Sequence, residues 1–237
     1  MKMKIAIIAA LSREVNYYVE TIPHLEKRQV AQVTLWTGTY AGHDLIIAQS
    51  GIGKVNAAMA TTLVCELRPD LVINSGSAGA LHPDLNVGDV VLGTETLYHD
   101  VDTRAVGNAL GQMDGMPLSY LCDAYYLAAF KSVLQEKKAY QGVYQGQIVS
   151  GDSFISGEER QSWIQKHFDQ ALCTEMESTA IGQVAYQFHI PFLIVRAISD
   201  CADHQAAVSF ETFIQEVGVK SAQTTLAFVE QVKEKSK

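Results

Sequence analysis

The stretch Leu172–Gly182, LCTEMESTAIG, sets two glutamates on either side of a methionine. Apolar or small residues flank Glu175 and Glu177, and no lysine or arginine within the segment pairs with them. One reading is a solvated helix start; the other is a catalytic acid. Two more acids occupy comparable settings. Glu14 follows the apolar run KIAIIAA, and Asp200 closes the run PFLIVRAISD. Each has an ordinary alternative: a first-turn glutamate favoured by the helix dipole, and an aspartate N-cap, a position Asp203 also offers. An aspartate at the carboxyl end of a buried strand is nevertheless suited to hold a proton for transfer. Acids from separate chain regions, without a metal, suit proton transfer and water activation, as in glycosidic cleavage.

Small polar residues accompany these acids. QSGIGK, NSGSAG, VSGDSF and RAISD each end an apolar run with Gly, Ser or Asp. In open α/β sheets ligands bind outside the carboxyl ends of the strands, so these endings are expected to converge on one pocket. Ser50–Lys54, SGIGK, fails the phosphate-loop pattern, with Ala48 in place of the first glycine and Val55 in place of Ser/Thr. It also fails the dinucleotide pattern, because Asn56 replaces the third glycine. What remains is a tight strand-to-helix turn whose N–H groups face a ligand or water. Asn74–Leu81, NSGSAGAL, offers the hydroxyls of Ser75 and Ser77, and at Gly76 and Gly79 close backbone approach. Phe154 adds an aromatic surface. The histidines, His24, His43, His82, His99, His167, His189 and His204, make no zinc spacing, and a GxSxG elbow is absent.

Elements that would position these groups can be read from hydrophobic pattern. KIAIIAA is a strand buried on both faces. VTLWTGTYAGHDLIIAQS is two strands with a turn at Ala41-Gly42-His43-Asp44. Lys54 to Leu67 is helical. PDLVINSGSAGAL is a short strand running into a glycine-rich loop, and VGDVVLGTETLYHD is a strand with a polar exit. GQIVSGDSFISG is a strand followed by a Gly/Ser/Asp loop. Ser178 to His189 is helical, PFLIVRAISD is a strand, and Phe210 to Lys235 is a closing helix. The alternation predicts an α/β fold: a single domain over residues 1–237, with a central mixed sheet flanked by helices on both faces. Val101 to Cys122 lacks periodicity, as a functional or interface loop does.

Composition narrows the class. The chain has 237 residues, 48% hydrophobic and 19% charged, which is globular rather than disordered. A net charge of −8 disfavours binding to phosphate backbones. Cys65, Cys122, Cys173 and Cys201 form no CxxC pair and read as reduced, mostly buried thiols of a cytosolic protein. The opening MKMKIAIIAALSREV has the lysines of a signal peptide, but its apolar run is too short and ends without a cleavage site, so it reads as a first strand. No apolar stretch reaches the ~18 residues of a membrane helix.

Taken together, SGIGKVNAA, NSGSAGAL, VGDVV, YHDVD, SGDSFI, EMESTAI and VRAISDCAD resemble, in order and spacing, the 5′-methylthioadenosine/S-adenosylhomocysteine nucleosidases. These belong to the wider purine nucleoside phosphorylase and uridine phosphorylase group. The resemblance runs from Ile5 to Phe213. It implies hydrolysis of the N9–C1′ bond, releasing adenine and 5-methylthioribose or S-ribosylhomocysteine, in methionine salvage and methyl-cycle detoxification. No metal or cofactor is implied, and the partners implied are small adenine thionucleosides rather than nucleic acid or membrane.

By the same resemblance, Asp200 matches the acid that protonates N7 and Glu14 the carboxylate that positions and deprotonates water. Glu177 matches the acid that grips the ribose hydroxyls, with the Met176 backbone beside it. Phe154 is expected to stack on adenine and the Ile155 backbone to read its edge. Ser77, Ala78, Gly79, Ile52, Ser199, Phe210 and Leu11 match pocket positions, and Arg196 is placed to hold the water or Glu177. Leu11 stands where methionine is frequent, and Val106 near a position that is often aromatic; both keep the 5′-thio pocket apolar. The family is homodimeric, which places Val101–Pro117 at the subunit interface. Two rivals remain: a phosphorylase, which needs a cationic phosphate cradle, and a nucleoside-binding protein without turnover.

Overall fold

The computed structural model describes residues 2–235 apart from 204, so His204 lies outside the described residues. The first apolar run is strand β1 (Lys4–Ala9), followed by helix α1 (Ser12–Thr21) and strand β2 (Glu26–Val30). Strands β3 (Val33–Tyr40) and β4 (His43–Gln49) form the expected hairpin. Its turn is only Ala41-Gly42, because His43 and Asp44 already pair with Tyr40 and Thr39. Helix α2 (Lys54–Cys65) leads to strand β5 (Leu71–Ala80). Here the reading changes: NSGSAGA is not a loop. It continues the strand, with Ser75 to Ala78 paired to Val195 to Ile198. The glycines serve close packing within the sheet, as shown below.

Strand β6 (Val90–Tyr98) is followed by a short 3-10 turn at Arg104–Val106, strand β7 (Tyr120–Leu121) and helix α3 (Ala124–Lys137). Strand β8 (Val143–Ser150), helix α4 (Glu158–His167), strand β9 (Ala171–Glu175) and helix α5 (Ser178–Gln187) come next. Strand β10 (Phe192–Asp200) and helix α6 (Ala206–Gln231) complete the order. The closing helix starts four residues before the predicted Phe210 and stops before Lys235. Leu172–Glu175 is strand rather than helix start, so Glu175 ends one element and Glu177 precedes another.

The strands form one mixed sheet, with β1, β4 and β5 parallel and β2–β3–β4 antiparallel. β10 pairs with both β5 and β6, and β6–β8–β9 returns to β5, so these five strands close on themselves. β1, β4, β3 and β2 extend from β5 as an open wing. α1 and α6 pack together, with α6 over β5 and β10 and α3 beside it, while α2 and α5 form a second pair. β1 and β10 are buried on both faces, which explains why they read as continuous apolar runs. Cys65, Cys122 and Cys173 are buried free thiols, and Cys201 is half-buried. Among the described residues no helix is long and apolar enough to cross a membrane.

Candidate active site

The carboxyl ends of β1, β5, β9 and β10 meet at a cavity of about 330 Å³. That is within the common range for small-ligand pockets, ~300–1,000 Å³. All fourteen residues that the resemblance singled out line it, together with Ala10, Ser153, Thr174 and Glu175. For Glu175 the sequence leaves a helix start and a catalytic acid both open, and Thr174 carries no signal, because β9 is too short to read as a strand.

Glu14 is not a solvated first-turn residue. It is 3% exposed, and its carboxylate accepts from the Ala10 and Leu11 N–H groups and from the Ser77 N–H and hydroxyl, at 3.0–3.1 Å. The first two bonds arise because β1 ends at Ala9 and the chain turns at once into α1. The other two come from β5.

The EME pair separates completely. Glu175 Oε2 accepts from the Glu177 and Ser178 N–H groups at 2.9 and 2.8 Å, capping α5. Its Oε1 accepts from the Ser150 hydroxyl, and Arg196 Nη2 lies 2.5 Å from Oε2. The cation absent from the local segment therefore arrives from β10. Glu177 Oε1 accepts from the Gly53 N–H at 2.9 Å, and its Oε2 lies 3.5 Å from Arg196 Nη2. Burial first, and then the Glu175 charge, push the Glu177 carboxyl well above its ordinary value; Arg196 and the Gly53 N–H pull it back. The N–H groups of SGIGK thus face protein acids: Gly53 serves Glu177, and Lys54 serves Asp152 at 2.7 Å.

Arg196 is fully buried. Beyond the two glutamates it donates to the Ser77 carbonyl at 3.0 Å. Gly76 leaves room for it, since a Cβ there would stand 2.5 Å from Nη1 and 3.1 Å from Glu14 Oε1.

Asp200 is not a helix cap. It ends β10, and α6 begins six residues later, where Asp203 receives the Gln205 N–H. A register shift between Ile198 and Asp200 brings both Ser199 and Asp200 to the pocket, although neighbours on a regular strand point apart. Asp200 accepts from the Ser199 hydroxyl and the Ala202 N–H, both at 2.9 Å. Burial raises its carboxyl above the ordinary aspartate value, against those two bonds. This is the direction expected of a proton donor. Gly79 permits the placement, because a Cβ there would lie 2.7 Å from Asp200 Oδ1.

The remaining walls are apolar. Phe154 is 44% exposed and meets Phe210 edge to face at 5.7 Å, while Ile155 is buried beside it. Leu11, Ile52 and Met176 complete the lining.

An α/β fold with acids at converging strand ends defines a class, and the sequence matches the model of the Phosphorylase superfamily over residues 4–232. A Staphylococcus aureus 5′-methylthioadenosine/S-adenosylhomocysteine nucleosidase is 43% identical over 96% of this chain and 100% of its own length. The crystal structure of the Streptococcus pyogenes S-adenosylhomocysteine nucleosidase, in complex with 5-methylthiotubericidin, aligns at TM-score 0.93 and 42% identity, covering 98% of each chain. That of the Neisseria meningitidis 5′-methylthioadenosine/S-adenosylhomocysteine nucleosidase, in complex with methylthio-immucillin-A, aligns at 0.94 and 39%, covering 97% of this chain and 100% of the other. The chain belongs to the 5′-methylthioadenosine/S-adenosylhomocysteine nucleosidase family.

Proposed function

We propose that this protein is an N-glycosyl hydrolase that cleaves 5′-methylthioadenosine and S-adenosylhomocysteine to adenine and 5-methylthioribose or S-ribosylhomocysteine. The observation that carries hydrolysis is the filling of the anion-ready positions. Among the described residues lining the cavity, Arg196 is the one cation, and it already lies against Glu175 and Glu177. The Gly53 N–H at the start of α2 serves Glu177. A phosphate nucleophile would meet Glu14, Glu175 and Glu177 with no free cationic cradle, whereas water meets bases.

In this reading Asp200 gives its proton to adenine N7, so the base leaves neutral as the N9–C1′ bond breaks. Glu14 takes the proton of the attacking water, whose oxygen bonds to C1′. Glu177 holds the ribose hydroxyls and opposes the positive charge developing on the sugar, and in a water-poor site such electrostatic stabilisation is strong. Phe154 stacks on adenine, with Phe210 bracing it. The Ile155 backbone reads the adenine edge, and Met176 lies beside the ribose. Ser77, Ala78 and Gly79 form the β5 wall and Ser199 the Asp200 side. Leu11 and Ile52 furnish the apolar surface for the 5′-thio group. No metal or cofactor enters the scheme.

Adenine release from 5′-methylthioadenosine in phosphate-free buffer tests the reading. Turnover without phosphate is expected, and a strict phosphate requirement would overturn it. Binding without turnover would favour the non-catalytic alternative.

A homodimer built on Val101–Pro117 extends the proposal. In that segment Val106 and Met113 expose apolar side chains, which a second subunit would cover. Light scattering on the purified protein tests it, with a dimer expected. The same reading makes the protein a cytoplasmic enzyme of methionine salvage.

A further inference from the structure

One buried side chain of β5 touches none of the proposed reacting atoms yet is bound as firmly as those that do. Asn74 is 1% exposed and uses both ends of its amide. Its Nδ2 donates to the Ile8 carbonyl at 3.0 Å. Its Oδ1 accepts from the Ser178 hydroxyl at 2.8 Å and from Arg196 Nη2 at 2.5 Å. Only one amide orientation satisfies all three, since a carbonyl can only accept and a guanidinium can only donate. Ser178 Oγ accepts in turn from Arg196 Nε and Nη2, at 3.2 and 3.1 Å, closing a ring of three side chains.

The charged groups facing Arg196 come from several elements: Glu14 of α1, Glu175 of β9 and Glu177 before α5, with the Cys173 thiol nearby. None of the three acids reaches Asn74. From the Asn74–Ser178 ring and its anchor on β1, we infer that Asn74 is a positioning residue for the hydrolysis proposed above: a neutral acceptor that fixes Arg196 among the pocket acids without taking up its charge. Neutrality matters because Arg196 is the cation shared by Glu175 and Glu177. A carboxylate at residue 74 would draw on the same guanidinium and leave Glu177 less compensated. The anchor matters because Ile8 lies two residues before Ala10, whose N–H binds Glu14. The amide therefore ties the guanidinium to the strand end that holds the water-activating acid.

The test compares Asn74→Ala and Asn74→Asp, alone and in an Arg196→Lys background, using 5′-methylthioadenosine. Asn74→Ala is expected to lower kcat roughly 10-fold through misplacement of Arg196, with KM changed little. In the Arg196→Lys background the same change is expected to cost much less, because residues of one network are not additive. Asn74→Asp is expected to move the acid limb of the pH profile of kcat/KM to higher pH, as added negative charge makes Glu177 keep its proton longer. Additive losses together with an unmoved acid limb would overturn the inference, since a purely structural asparagine gives that result. If Asn74→Asp does not fold, Ser178→Ala opens the same ring with Asn74 intact, and additivity with Arg196→Lys again overturns it. Failure of the hydrolase reading is seen separately, as wild-type protein that releases no adenine without phosphate.

Discussion

The two ends of the pocket give their buried carboxylates different partners. At one end Asp200 has no ion pair among the described residues; a serine hydroxyl and one backbone N–H are its partners. At the other, Glu14, Glu175 and Glu177 surround Arg196 and use eight N–H or O–H donors besides the guanidinium. Glu175 alone combines three of these donors with the arginine. Burial raises the carboxyl at the first end, where two hydrogen bonds and no arginine oppose it. At the second, Glu177 is lifted by burial and then by the Glu175 charge, and here Arg196 and the Gly53 N–H oppose the rise. The difference lies in the partners, consistent with pKa separation by environment.

The contrast can be broken most sharply at its isolated acid. Asp200→Asn removes the proton donor without changing shape. It is expected to lower kcat by about 10²–10⁴ while an unreactive adenine thionucleoside still binds; near-normal turnover would remove Asp200 from its role. At the crowded end, Gly76→Ala places a Cβ against Arg196 and Glu14. A displaced guanidinium is expected to cost about 10²-fold in kcat/KM, with the fold intact by circular dichroism. Substitution of the apolar wall is milder: Phe154→Ala is expected to raise KM about 10-fold, in line with the ~1–3 kcal/mol of base–aromatic stacking, and kcat less.

The smallest effect concerns stability. Because the folded-state carboxyl of Glu177 lies above its unfolded value of 4.5, the native state binds more protons over the interval between the two. This group's contribution is therefore fully present below the unfolded value and is lost as pH rises through the folded one. Melting temperature is expected to decline with pH through that window in the wild type, and less steeply in Glu177→Gln. Equal slopes would mean that burial does not raise the Glu177 carboxyl.

Much of this was legible in the chain. Both-face burial made β1 and β10 visible as apolar runs, and the acids at their ends marked the pocket. Elements with mixed burial were harder to see. β2 is almost wholly exposed and α4 buries only Ile164, so neither carries a strong periodic signal. β9 is five residues long, too short for alternation to declare itself, and Glu175 went unassigned with it. The glycine-serine run of β5 reads as a loop because glycine usually marks loops. Here it clears space within a sheet for Arg196 and Asp200.

By itself, then, the sequence determined the α/β class with a mixed sheet, the buried runs of β1 and β10 and the family pattern, since these depend on residue type, local period and motif spacing. Only the tertiary structure decided that five strands close on themselves, that Arg196 comes from β10 to lie between Glu175 and Glu177, and that Asn74 and Ser178 hold it there. Those are contacts between residues as much as 122 positions apart. Such contacts arise from strand pairing and packing, which bring distant residues together without leaving a local trace in the pattern of any one segment.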